Sequence, residues 1–444
     1  MARLFGTDGV RGVAGRDLTA ELVHRLGRAL VATVGSGGRP RVAVGRDTRA
    51  SGEMLEAALA AGICSAGGDV LLLGVVPTPA VAFLTVDLGA EAGAVISASH
   101  NPPEDNGIKL FSSDGMKLPD MVEGEIERLV REGDGPRPEG LELGRIVPEQ
   151  DDAADRYLAH LAGSVDGTLG GMKVVVDGAN GAAYRLAPML LRRLGADVFA
   201  IGDEPDGTNI NVGCGATHPQ TVAEAVRRFG ADAGVAHDGD ADRAIVCAAD
   251  GTILDGDHVL AACALAMRDA GTLAKDVVVT TVMANLGFRR AMEEAGITAV
   301  ETQVGDRYVL EEMRRTGATL GGEQSGHVIF LDAATTGDGL LTAARFLALA
   351  RSKGVSVAEL ASVVRKLPQV LEAVEVEDRE ALEGAEGVRE AVRAAEEALG
   401  DRGRVLVRAS GTEPVVRVMV EAEDEDAARR HAEAIADAVR RALD

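Results

Sequence analysis

Ala94 to Lys109 reads AVISASHNPPEDNGIK, and the way this stretch is parsed decides the rest of the chain. Its first residues are small or β-branched and apolar, as at the end of a buried strand. It then turns polar at Ser97, Ser99, His100 and Asn101, and Pro102 and Pro103 can continue neither a helix nor a central strand. A serine is therefore presented in a loop at the tip of a strand, where open α/β sheets gather their active sites. A hydroxyl held there beside His100 and Lys109 suits a nucleophile or phosphate carrier. Taken alone, the same residues would equally make a plain Ser/Asn/Pro turn.

Outward from this loop, three segments share a degenerate pattern of strand, loop, helix and second strand. RVAVGRDTR leads to GGDVLLLGVVPTP, KVVVDGANG to LGADVFAIGDEPDG, and DVVVTTVMANLG to AGITAVETQVGD. Measured from the first Val of each unit to the Val of its second strand, Val42 to Val70, Val174 to Val198 and Val277 to Val300, the separations are 28, 24 and 23 residues. Such units need a crossover helix and give mostly parallel sheets of buried, Val-rich strands. Three related α/β domains with mixed, mostly parallel sheets are expected. The last residues differ: strand-like LEAVEV, an Ala/Glu-rich helix, VLVRAS, VVRVMVEA and a closing helix suggest a small α+β domain. In that helix Ala428, Ala432, Ile435, Val439 and Leu443 recur every three or four residues, on one face. The expected divisions are 1–152, 153–252, 253–367 and 368–444.

The chain of 444 residues carries 46 basic and 70 acidic side chains, a net charge of −24, which argues against nucleic acid or an anionic membrane as partner. Arginine far outnumbers lysine, which suits two-pronged grip of phosphate. Screening over about 8 Å leaves local arginines in charge of a pocket despite the overall acidity. Cys64, Cys214, Cys247 and Cys263 are scattered without a CxxC pair, as expected of reduced cysteines in a cytoplasmic protein. The opening MARLFGTDGVRG lacks the apolar run of a signal peptide, and no stretch is long enough to span a membrane.

Three further clusters carry chemistry. In HDGDADR, Asp238, Asp240 and Asp242 alternate, and on an extended segment their carboxylates would point to one side, converging on a divalent cation. A calcium loop fails, because its glycine position holds Arg243 and its closing Glu position Ala249. Three monodentate carboxylates leave room for water and a phosphate oxygen, which favours Mg²⁺ over Ca²⁺. GGEQSGH offers Glu323, Ser325 and His327 to a ring of hydroxyls. RASGTEPVVR offers Arg408, Ser410, Gly411, Thr412 and Arg417 as a phosphate cradle. No Lys precedes Ser or Thr, so there is no Walker loop, and phosphate must come from the substrate or the protein.

In this order the four clusters resemble the α-D-phosphohexomutase superfamily from end to end. SASHNP is similar to its phosphoserine loop with Ser99 as carrier, DGDADR to its magnesium loop, GEQSGH to its sugar loop and RASGTEP to its distal phosphate loop. FGTDGVRG, Gln324 and VGDRYV at 304–309 look most like the members acting on glucosamine phosphates. The resemblance implies a heart-shaped, four-domain enzyme, usually a homodimer. It would interconvert glucosamine 6-phosphate and glucosamine 1-phosphate for UDP-N-acetylglucosamine and peptidoglycan precursor synthesis. Ser99 would be a phosphoserine and itself a ligand of Mg²⁺ with the three aspartates, and glucosamine 1,6-bisphosphate or glucose 1,6-bisphosphate would serve as activator. Arg243 would spread charge on the transferred group, Lys109 and His327 would exchange the proton, Arg11 matches a family arginine near the reacting phosphate, and His100 would orient the carrier. Other sugars, mannose or glucose, or a non-catalytic sugar-phosphate binder are the alternatives.

Overall fold

A computed structural model of the chain describes residues 4–6, 8–35, 38–133, 135–410 and 415–443. It divides into two compact units, Met1–Met283 with Ile297–Val363, and Ala284–Gly296 with Val364–Asp444.

The first unit contains three sheets built on one plan, a parallel centre with an antiparallel hairpin at one side. In the first, the strand order is Val10–Val13, Asp105–Ser112, Ala92–Ile96, Arg41–Arg46, Asp69–Val75, Ile146–Pro148. Ala92–Ile96 runs parallel to Arg41–Arg46 and antiparallel to Asp105–Ser112. In the second, Ala233–His237 runs parallel to Lys173–Asp177 and antiparallel to Ala244–Ala248. In the third, Leu320–Gly322 runs parallel to Val277–Thr281 and antiparallel to Val328–Phe330. The central strands Arg41–Arg46, Ala92–Ile96, Lys173–Asp177, Ala233–His237 and Val277–Thr281 are buried along nearly their whole length, which is why they read as runs of Val and Ala.

Two of the paired valines are direct cross-strand neighbours, Val42 with Val70 and Val174 with Val198. In the third unit Val300 lies beside Val279, and Val277 beside Thr298. The run Val277–Val279 offers three equivalent valines, so composition alone sets no register there.

The second unit holds an antiparallel sheet, ordered Gln369–Glu375, Val415–Ala422, Gly403–Ala409. The closing helix Glu425–Leu443 packs Ala428, Ala432, Ile435, Val439 and Leu443 into one core with Val416, Val418 and Val420. The helix Leu286–Glu294 packs with this unit too. Its start is held here by buried polar groups. Asn285 Oδ1 accepts from Gly287 N and Leu367 N, each at 2.9 Å, and Glu421 accepts from Leu286 N at 2.9 Å. Arg404 neutralises Glu421 at 3.1 Å and donates to the Ala284 carbonyl at 3.0 Å.

The four cysteines form no disulfide, and among the described residues no helix is long and apolar enough to cross a membrane.

Candidate active site

Each chemical loop of the first unit is the connection of one of the antiparallel hairpins: 97–104, 238–243 and 323–327. Lys109 therefore lies on the return strand, opposite Val95, and not in the serine loop itself.

Ser99 adopts a left-handed backbone with φ of 51°, a conformation uncommon for a residue bearing a Cβ. Buried bonds hold it there. Ser97 Oγ accepts from Ser99 N at 3.0 Å and donates to Asp47 Oδ2 at 2.5 Å. Arg49, itself paired with Asp47 at 2.9 Å, donates to the carbonyls of Ser99, Asn101, Asp105 and Pro102. Asn211 Nδ2 donates to the Ser99 carbonyl as well, at 2.9 Å. The outcome is a fixed hydroxyl: Ser99 Oγ donates to Asp238 Oδ2 at 2.6 Å, and His100 Nδ1 lies 3.3 Å from the same oxygen. Sequence reading passed over Asp47, Arg49 and Asn211, although an Asp-x-Arg directly after the buried strand RVAVGR was a signal.

The aspartate loop is a turn rather than the extended segment expected. Ala241 N donates to the Asp238 carbonyl at 3.0 Å, and Ala241 has φ of 57°. The carboxylates still converge, with one oxygen from each of Asp238, Asp240 and Asp242 within 4.8 Å of the others, all three buried. Gly239 has to be glycine for reasons of space. A Cβ there would stand 2.4 Å from the Ser99 carbonyl oxygen.

Beside the triad, Lys109 Nζ lies 3.0 Å from Asp240, 2.9 Å from Asp8 and 3.7 Å from Asp242. Asp8 also takes Lys117 Nζ at 2.6 Å and pairs with Arg11. Lys117 in turn pairs with Asp306, whose carboxylate lies 3.7 Å from His327 Nε2. Asp8, Lys117 and Asp306 were also missed, because isolated charges near Gly read as solvated turns.

The third loop meets the second directly. Ala244 N donates to the Gly326 carbonyl at 3.1 Å, and Arg243 pairs with His327 as an isolated bridge. Glu323 Oε1 accepts from Gly305 N at 3.1 Å, and Gln324 Nε2 donates to Asp257 at 3.2 Å. Ser325 Oγ and both ring nitrogens of His327 are buried with no hydrogen-bond partner, groups shaped to meet a ligand. Arg243, 3.7 Å from Asp242, lies at the same junction.

In the second unit, Arg408 and Arg417 face each other across adjacent strands, and Ser410 N donates to the Val415 carbonyl at 2.9 Å to close their hairpin. Burial and then Arg417 lower the pKa of Arg408, as expected of two cations set side by side for an anion. Gly411 and Thr412 lie outside the described residues.

Four family models match in order along the chain. They are phosphoglucomutase/phosphomannomutase alpha/beta/alpha domain I at residues 2–137, domain II at 155–251, domain III at 255–367 and the C-terminal domain at 371–438. The chain belongs to the phosphoglucomutase/phosphomannomutase family. It is 57% identical over 445 residues to the phosphoglucosamine mutase of Thermobifida fusca, covering 99% of this chain and 98% of that one. A phosphoglucomutase/phosphomannomutase family protein of Burkholderia thailandensis superposes with a TM-score of 0.83 at 27% identity, covering 100% of this chain and 98% of that one. An Aspergillus fumigatus N-acetylphosphoglucosamine mutase variant solved with glucose 1,6-bisphosphate shares the fold, with a TM-score of 0.68 at 20% identity over 100% and 96% of the two chains.

Within this family member the charges of the site are unequal. Burial and the neighbouring Asp242 and Asp240 push the Asp238 carboxyl well above the usual range, and burial with Asp240 raises Asp242. Burial opposes the charge of Asp240 too, but Lys109 and Thr78 outweigh it and lower its pKa. Burial likewise opposes Lys109, yet Asp240, Asp8 and Asp242 keep it a firm ammonium ion. Burial, then Arg243 and Arg11, lower His100 to about 4, so its ring is neutral near pH 7. Asp240 Oδ1 and Asp242 Oδ1 are buried without hydrogen-bond partners. Unpartnered carboxylate oxygens in a raised-pKa cluster are what a hard divalent cation would satisfy, so the residues fit a metal.

Proposed function

We propose that this chain interconverts glucosamine 6-phosphate and glucosamine 1-phosphate through a phosphorylated Ser99 and a glucosamine 1,6-bisphosphate intermediate, supplying UDP-N-acetylglucosamine and peptidoglycan precursors. The observation that carries the reading is the Ser99 hydroxyl bonded at 2.6 Å to one of three converging, buried aspartates. Asp238, Asp240 and Asp242 would hold Mg²⁺, which when bound supplies positive charge beside the phosphoryl group in transit.

Phospho-Ser99 gives its phosphoryl group to a sugar hydroxyl: the bond from phosphorus to Ser99 Oγ breaks, and one to the sugar oxygen forms. The hydroxyl proton passes to His327, whose ring nitrogens have no partner in the protein, and Lys109, held as an ammonium ion, gives a proton to the freed Ser99 oxygen, which returns to its place against Asp238. Arg11, His100 and Arg243 line the same centre, where positioning and charge do most of the work in phosphoryl transfer. Glu323 and Ser325 meet the sugar hydroxyls, and Arg408, Ser410, Gly411, Thr412 and Arg417 bind the phosphate that is not reacting. Glucosamine 1,6-bisphosphate or glucose 1,6-bisphosphate would prime a dephosphorylated enzyme. The reading extends to a homodimer working in the cytoplasm, checked by sedimentation and cell fractionation.

The test is intact mass with and without glucosamine 1,6-bisphosphate, joined to a panel of glucosamine, glucose and mannose phosphates. Ser99→Ala is expected to lose both the added phosphoryl mass and turnover. A preference for mannose or glucose phosphate would move the chain to another branch of the family, and phosphate on Ser97 would overturn the choice of carrier.

A further inference from the structure

Lys109 is gripped by three carboxylates, two of which belong to the aspartate triad. A divalent cation on the triad would draw on Asp240 and Asp242 and repel the ammonium beside them. Asp8 is then the counter-charge that remains, since it stands outside the converging group. It is also the best fixed of the three. Lys117 Nζ holds its other oxygen at 2.6 Å, Arg11 pairs with it, and Lys117 is anchored in turn on Asp306. The backbone turn is pressed on Lys109's own strand: Gly9 has φ of 82°, and a Cβ there would lie 2.3 Å from the Ile108 carbonyl oxygen and 3.1 Å from the Lys109 Cα. Glycine supplies both the left-handed turn and the close approach. From this geometry we propose that Asp8 is a positioning residue, which holds Lys109 at the reacting phosphoryl group when the triad is engaged by a cation.

The proposal rests on the mutase reading, and a mutant cycle separates the two. Asp8→Asn, Lys109→Met and the double variant are compared for kcat and KM on glucosamine 1-phosphate and for Mn²⁺ binding by calorimetry. Misplacing Lys109 is expected to cost about ten- to a hundredfold in kcat, with KM nearly unchanged. The double variant should be no slower than Lys109→Met alone, because Asp8 acts through Lys109. Released from Asp8, the ammonium leans on Asp240 and Asp242 and competes with the cation, so Mn²⁺ binding to Asp8→Asn should weaken by roughly three- to tenfold. In the Lys109→Met background the same change should leave Mn²⁺ binding unaltered. A kcat unaltered by Asp8→Asn, losses that multiply in the double variant, or equal weakening of Mn²⁺ in both backgrounds would each overturn the role. Asp8→Ser replaces Asp8→Asn if the latter does not fold. Protein that binds Mn²⁺ but turns over no sugar phosphate overturns the mutase reading, while the calorimetric cycle still decides for Asp8. Wild-type protein that binds no Mn²⁺ overturns both.

Discussion

Gly239→Ala isolates how tightly the serine and aspartate loops are fitted. The added Cβ would stand 2.4 Å from the Ser99 carbonyl oxygen and 2.9 Å from both Asn211 Nδ2 and Ile210 Cδ1, against ordinary contact that begins at 3.4 Å. The backbone at this position is not left-handed, so the whole penalty is steric. The two loops must part by about 1 Å, and the carbonyl cannot yield freely because Arg49 and Asn211 each hold it at 2.9 Å. The movement falls on the 2.6 Å bond from Ser99 to Asp238. Overpacking of this kind costs roughly 1–3 kcal/mol of stability. A displacement of about 1 Å at the reacting group costs on the order of a hundredfold in rate. The assay is steady-state turnover at saturating substrate, with chemical unfolding measured in parallel. Gly124→Ala, in the helix Asp120–Glu132 with nothing within 4 Å of its added Cβ, is the control, expected to leave kcat alone and to stabilise by about 0.5–1 kcal/mol. If Gly239→Ala keeps kcat within a few-fold of wild type and unfolds like the control, the loops are not fitted as described.

Removing one carboxylate of the triad should separate stability from function. Asp238→Asn relieves burial and the repulsion of Asp242 and Asp240, so the metal-free protein should gain stability near pH 7. The same variant should lose turnover and the rise in unfolding temperature that Mg²⁺ gives the wild type. A wild-type-like response to Mg²⁺ would count against the site. Arg408→Ala is expected to raise KM by about ten- to a hundredfold for both monophosphate isomers alike, and an effect on one isomer only would count against a shared clamp. Asp338 gives a pH signature away from the chemistry. Burial raises its carboxyl from 3.8 to about 6, while Tyr157 donates to it at 2.7 Å and Leu341 N at 2.9 Å. A raised folded-state pKa means this contribution is present below pH 4 and lost as pH rises through 6, about 3 kcal/mol in all. Asp338→Asn keeps the helix cap and should flatten that part of the stability profile from pH 4 to 7.5, and parallel profiles would refute it.

What the sequence made legible follows burial. Val42 and Val70, or Val174 and Val198, announce parallel neighbours because a strand covered on both faces has no choice but a run of apolar residues. The three equal valines from Val277 left the third register open. Asp238, Asp240 and Asp242 were legible as a cluster but not in shape, since alternation suggests an extended segment while the Ala241 turn makes the convergence. Asp8, Lys117 and Asp306 were hidden for one physical reason. Much of what each charge meets lies far along the chain, as with Lys117 and Asp306 at 189 residues' separation, so no local pattern betrays it.

Placing each chemical loop between the arms of a hairpin also bears on when the site comes into being during folding. A hairpin needs only neighbours in sequence and closes early, within microseconds. The bond from Ser99 to Asp238 spans 139 residues, and the one from Lys109 to Asp240 spans 131. Contacts of that range wait for whole sheets to dock. Each loop can thus hold its local bend while the centre it will serve does not yet exist. Proton-exchange labelling during refolding should find the strand ladders flanking Ser97 to Glu104 protected well before the Thr78 amide, whose acceptor, the Asp240 carbonyl at 2.9 Å, arrives only when the two sheets meet.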